Sequence, residues 1–164
     1  MKKILIVDDE KDIRFILEEI LNEHKYHVIT VGTIKEAEQF INKNSFDLAL
    51  LDVLLDEKSR DGLYLLNLIK NKNKDLPVIM MSGHANIQIA VNSVKDGAFE
   101  FLEKPFNQER LLNFIKRGIE YSELVNTKKD LHDNFFKSFD FVGESKEIIK
   151  IKESINKIST SDGR

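Results

Sequence analysis

The feature that most constrains this chain is a rhythm. Short apolar runs alternate with segments whose apolar residues recur at helical spacing. Residues 4–7, Ile-Leu-Ile-Val, form an unbroken run, the pattern of a strand buried on both faces. Residues 12–23 then place Ile13, Ile16, Leu17, Ile20 and Leu21 on one helix face. Residues 26–31 read as a second strand, rich in β-branched side chains. Thr33, with Glu36 three residues on, makes a capping box for a helix that runs to about Lys43. Residues 46–51 are a third strand ending at Asp52, and residues 62–72 a helix with Leu65, Leu66 and Ile69 inward. Residues 77–81 are a fourth strand. Residues 86–95 are helical through Ile87, Val91 and Val94, with Gly97 suited to a left-handed cap. Residues 98–102 form a short fifth strand, and a last helix begins near Asn107.

This β-α repetition predicts an α/β fold: a five-stranded parallel sheet with helices on both faces, because each crossover must be right-handed. In such sheets functional groups collect at the carboxyl ends of the strands. The residues there are Asp8 and Asp9 after the first strand, Asp52 after the third, Ser82 after the fourth and Lys104 after the fifth. The second strand ends in Val31-Gly32-Thr33 and offers little.

Composition excludes several alternatives. There is no cysteine, hence no disulfide, thiolate metal site or cysteine nucleophile, and the four histidines (His24, His27, His84, His132) are scattered. The net charge of −3 makes the chain a poor candidate for wrapping nucleic acid by itself. That excess lies in residues 1–120, with 17 basic and 20 acidic side chains, against eight of each in the rest. The apolar run after Met1-Lys2-Lys3 is too short for a signal peptide, and no stretch approaches a membrane span. A cytoplasmic protein is expected.

Each of the strand-end residues has an ordinary explanation by itself. Asp9-Glu10 suits the positive end of a helix dipole, Asp52 a turn or cap, Ser82-Gly83 a turn, and Lys104-Pro105 a loop break. Together, in this order, they point to chemistry. Three neighbouring carboxylates repel unless a cation sits among them, and a hard divalent ion, best Mg²⁺, resolves this. Asp52 is then a candidate nucleophile forming an acyl phosphate. Lys104 would pair with a phosphoryl oxygen and Ser82 would donate to another.

The matching pieces are Ile-Leu-Ile-Val-Asp-Asp-Glu at 4–10, Asp-Leu-Ala-Leu-Leu-Asp at 47–52, Asp61-Gly62, Met-Ser-Gly-His-Ala at 81–85 and Phe-Leu-Glu-Lys-Pro-Phe at 101–106. On these, residues 1–121 resemble the receiver domain of bacterial two-component response regulators. The resemblance implies the flavodoxin-like (CheY-like) strand order 2-1-3-4-5. It implies that Asp52 accepts a phosphoryl group from a sensor histidine kinase, without the chain being an enzyme in its own right. Asp9 and Asp52 would ligate Mg²⁺ together with the backbone carbonyl of Leu54, with Asp8 acting through water. Ser82 and Phe101 would be the switch pair, and Lys104 the phosphate-binding lysine joined to Pro105 by a cis peptide bond. Phosphorylation would reshape the face made by the fourth helix, fifth strand and fifth helix, and so control homodimerisation.

Two departures stand out. The usual Met-Pro after the phosphoacceptor is replaced by residues 54–60, a loop two residues longer than usual. Phe101 stands where many members carry Tyr, so its ring cannot hydrogen-bond.

The remainder resembles the NtrC/NtrX class of nitrogen-regulation transcription activators. Phe-Val-Gly-Glu-Ser at 141–145, with Ile148, Ile151, Ile155 and Ile158, looks like the opening of a AAA+ ATPase domain. The expected organisation is therefore a receiver at 1–121, a helical linker at 122–140 and a truncated ATPase start at 141–164. No phosphate loop occurs, so ATPase activity and DNA binding are expected only of domains missing from this chain, within a sigma54-type activation module. Tyr121, Leu124, Leu131 and Phe135 fall on a weak a/d seam of the linker, suited to a dimerising helix or simply to an exposed one. Phe135, Phe136, Phe139 and Phe141 call for burial.

Three other functions fit the fold less well. A phosphatase-like hydrolase with an Asp nucleophile wants a second carboxylate at position 54, which is Leu. A flavin or nucleotide binder wants a glycine-rich first turn, and here it is acidic. A stand-alone receiver acting only by protein contact would not need the whole five-residue set.

Overall fold

The computed structural model describes residues 1–55, 61–83, 87–138 and 150, without the side chains of Ile87 and of residues 132–138. Residues 56–60 of the expected loop 54–60, the His84–Ala85 part of the fourth turn, the phenylalanine-rich stretch 135–141 and the ATPase-like tail lie outside the described residues or side chains.

The elements run β1 (Lys3–Val7), α1 (Lys11–Glu23), β2 (His27–Val31), α2 (Ile34–Lys43), β3 (Leu48–Asp52), α3 (Gly62–Lys72), β4 (Val78–Ser82), α4 (Ile87–Lys95), β5 (Glu100–Glu103) and α5 (Gln108–Ser138). All strand pairs are parallel and the sheet order is β2-β1-β3-β4-β5, as the rhythm and the resemblance together imply. The chain divides into two compact units, residues 1–126 and 127–164.

Alternation along each strand feeds two cores. Leu5, Val7, Ala49, Leu51, Val78 and Met80 pack with Ile34, Ala37 and Ile41 of α2 and Leu65, Leu66 and Ile69 of α3. Ile4, Ile6, Leu48, Leu50, Ile79 and Met81 face the other way, onto Leu17 and Leu21 of α1 and Leu111, Ile115 and Ile119 of α5. Each of the Val, Leu, Ile and Met side chains contributes about 1.5–3 kcal/mol by leaving water, so the central strands are fixed from both sides.

Local signals act as expected at several ends. The Thr33 hydroxyl accepts the Glu36 N–H, while the Glu36 carboxylate reaches back to the Gly32 N–H. Gly97 closes α4 at φ 96°, and Lys104–Pro105 is cis. Gly62 is required by crowding: a Cβ built there would fall on the Asp52 carbonyl oxygen, and the Gly62 N–H donates to the Val53 carbonyl at 3.0 Å.

Some expectations are corrected. β3 begins at Leu48, because Asp47 uses its carboxylate on the Lys3 N–H instead of continuing the core strand. β5 begins two residues later than its apolar run suggests, at Glu100. Ile16 is half exposed; Leu17 and Leu21 are buried and Ile13 and Ile20 partly so. On α4 the inward side carries Ile89 and Ser93, leaving Val91 and Val94 exposed. Ser93 is tolerated inside because its hydroxyl donates to the Ile89 carbonyl at 2.8 Å. On α5, the Tyr121 ring lies 5.5 Å from that of Phe99, whereas Leu124 and Leu131 are exposed.

Candidate functional site

The sheet delivers its strand ends to one edge. β1 runs into Asp8, whose N–H still donates to the Val31 carbonyl of β2. β3 ends on Asp52, paired in register with Met81 of β4, and Val53 continues by donating to the Met81 carbonyl. Ser82 ends β4, and its carbonyl accepts the Lys104 N–H at 2.8 Å. Asp8, Asp52 and Ser82 are three of the four buried polar residues among those described, the other being Ser93.

The Lys104 ammonium ties this edge together. Its Nζ lies 2.7 Å from Asp8 Oδ2, 2.6 Å from Asp52 Oδ2 and 3.4 Å from Glu10 Oε1. The other oxygens are held by backbone donors: Asp8 Oδ1 accepts the Glu10 N–H at 2.9 Å, and Asp52 Oδ1 the Leu54 N–H at 3.1 Å. Burial pushes the Asp8 carboxyl above its usual range, against the pull of Lys104. Burial alone would lower the Lys104 ammonium, but hydrogen bonds and attraction from Asp52 and Asp8 outweigh it, and its pKa is raised. The site is thus short of positive charge: one ammonium faces three carboxylates.

That deficit and the all-oxygen donor set fit a hard divalent cation. Asp8, Glu10 and Asp52 each offer an oxygen within 4.8 Å of the others. The resemblance implies Asp8, Asp9, Asp52 and the Leu54 carbonyl as the metal set. The structure brings Asp8, Asp52 and Lys104 together and sets Ser82 beside them through the backbone. Asp9 is exposed and outside the carboxylate cluster, and Leu54 is exposed. Phe101 is half-buried against the α2–α3 core, in register with Met80.

Glu10 is not among the sequence candidates, because its place before a helix is explained by the dipole. The available signal is its spacing from Asp8, whose Oδ1 accepts the Glu10 N–H in an Asx turn.

With fold and site in hand, the family follows. Residues 4–116 match the response regulator receiver domain, and the chain belongs to that family. Within it, the similarity is to NtrX-type regulators. The chain is 35% identical over 161 residues to a putative NtrX-like response regulator of Rickettsia bellii, covering 98% of this chain and 34% of the relative. It is 35% identical to NtrX from Brucella abortus, crystallised with ATP, at a TM-score of 0.75 over 99% of this chain and 36% of that one. The beryllofluoride-activated NtrC4 receiver domain dimer, a solution structure, is 42% identical at a TM-score of 0.70, covering 74% of this chain and 99% of that one. The chain therefore spans about a third of the length of its NtrX-type relatives. Among the described residues no helix is long and apolar enough to cross a membrane.

Proposed function

We propose that this chain is a phosphorylation-controlled switch in which Asp52 accepts a phosphoryl group from a sensor histidine kinase. The carrying observation is the Lys104 ammonium shared between Asp8 and Asp52 at 2.7 and 2.6 Å, on the sheet edge where functional groups of this fold collect. An Asp52 carboxylate oxygen attacks phosphorus, and the new P–O bond forms as the donor's P–N bond breaks and its imidazole leaves with the electron pair. Lys104 then exchanges a carboxylate oxygen for a phosphoryl oxygen, as a compact point charge can. Asp8, Asp52 and a third ligand from Glu10, Asp9 or the Leu54 carbonyl would hold Mg²⁺, which supplies charge neutralisation for the incoming phosphoryl group.

Ser82 then donates to the phosphoryl group, and Phe101 packs inward. The change biases a two-state equilibrium of the α4-β5-α5 face and so controls dimerisation. The dimeric state of the activated NtrC4 receiver supports this reading. The organisation follows the sequence: receiver at 1–121, linker helix at 122–140, and the start of a sigma54-type activator's ATPase at 141–164, with DNA contacted only by further domains. Incubation with acetyl phosphate and Mg²⁺ should add one phosphoryl group by intact mass. Asp52→Asn should add none. No mass increase in the parent chain with any donor overturns the reading.

A further inference from the structure

Arg14 lies one helical turn into α1 and is not a member of the acidic cluster, yet it is aimed at that cluster's backbone. Its Nη1 donates to the carbonyls of Asp8 at 2.6 Å and Asp9 at 3.0 Å. Among the described residues no carboxylate pairs with it in a salt bridge. Space for the guanidinium is left by Gly32 at the end of β2, where an added Cβ would sit 2.9 Å from Nη1. So the residue that reads as featureless at the second strand end, and a cation on the first helix, form one device under the Asp8–Glu10 turn.

We infer that Arg14, seated against Gly32, is a positioning residue that clamps the Asp8–Asp9 carbonyls and thereby presents the Asp8, Asp9 and Glu10 carboxylates to a divalent cation. Two physical effects combine. Carbonyls fixed on the guanidinium cannot rotate, so the Asx turn that brings Glu10 over the site is held. A cation below the turn also offsets the mutual repulsion of carboxylates that would otherwise splay it. Partners of this outer kind alter metal affinity about 10–100-fold when removed.

The inference rests on the proposed metal-dependent phosphoacceptor site, and its test separates the two. Mg²⁺ affinity is measured by calorimetry on the parent chain and on Arg14→Ala, Arg14→Lys and Gly32→Ala. Hydrogen exchange of the Glu10 amide is followed in metal-free buffer. Arg14→Ala should weaken Mg²⁺ binding about 10–100-fold and speed Glu10 exchange, and Arg14→Lys should restore much of both. Gly32→Ala should weaken binding less than Arg14→Ala, because the flexible guanidinium end can shift by a few tenths of an ångström. The Arg14→Ala/Gly32→Ala double variant should lose no more than Arg14→Ala alone. Parent-like Mg²⁺ affinity in a folded Arg14→Ala chain overturns the inference, as does unchanged Glu10 exchange or a double variant that binds much more weakly than Arg14→Ala. No Mg²⁺ binding by the parent chain would instead defeat the proposed function, while the exchange measurement still decides whether Arg14 clamps the turn.

Discussion

Two lysines in this molecule each bridge carboxylates, in quite different surroundings. At the carboxyl edge of the sheet, Lys104 bridges Asp8 and Asp52, with all three side chains less than a tenth exposed. At the opposite edge, Lys2 bridges Asp47 at 3.6 Å and Glu123 of α5 at 3.1 Å, with side chains 32–55% exposed. Both ammonium groups are held above their ordinary value. For Lys2 the hydrogen bond to Glu123 leads; for Lys104 the carboxylates must first overcome burial. Water screens the Lys2 pair, so its removal exposes nothing that solvent cannot accommodate. Removing Lys104 leaves two buried carboxylates facing each other. The Lys2 cluster is a clip on the surface; the Lys104 cluster is an unbalanced charge set, the kind that a cation and a phosphoryl group would suit.

The sharpest way to break this contrast is to delete each ammonium. In metal-free buffer near neutral pH, Lys104→Ala should cost about 3 kcal/mol of unfolding free energy, and Mg²⁺ should restore part of it. Lys2→Ala should cost about 0.5 kcal/mol or less. Equal losses in urea titrations would erase the distinction.

Next comes the opposite change. The Asp8 pKa is raised on folding, so its contribution to stability is fully present below about pH 3.8 and is lost as pH rises through the raised value. At neutral pH the ionised carboxylate is therefore a cost, and Asp8→Asn should stabilise the metal-free chain by about 1 kcal/mol. That gain should shrink on acidification. A destabilised Asp8→Asn at pH 7 would contradict it.

The smallest effects test the environments directly. The stability Lys104 supplies is present below its unfolded value near 10.5 and disappears as pH climbs through the raised one. High salt should abolish the small Lys2→Ala difference and leave the Lys104→Ala loss largely intact. Thermal melts in low and high salt distinguish the two.

The same contrast explains what the sequence disclosed. Continuous apolar runs such as residues 4–7 and 78–81 are legible because both faces of a parallel strand must be dry, and their residues are in fact fully buried. Asp8, Asp52, Ser82 and Lys104 were legible because strand ends must converge. The approach of Glu10 to Lys104 was not, because it accompanies a side chain–backbone turn at Asp8 that leaves no hydrophobic pattern. Ser93 was not, because a hydroxyl bonded to its own helix can occupy an apolar face, while Val91 and Val94 stay outside. Nor was Arg14 legible: its meaning depends on the absence of a side chain at Gly32, just past the end of β2 and eighteen residues away.

The crowding at Gly62 has a consequence for how such a chain can vary. The loop that leaves Asp52 returns so closely that a helix residue touches the carbonyl it started from, and a hydrogen bond from Gly62 to Val53 shuts the neck. Both ends of the loop are thus fixed by backbone contacts at the sheet edge and the first turn of α3. Closure entropy grows only slowly with length, so residues added between those two points carry a small entropic cost. An insertion there is the kind of change that the Asp52 carbonyl and the start of α3 can absorb.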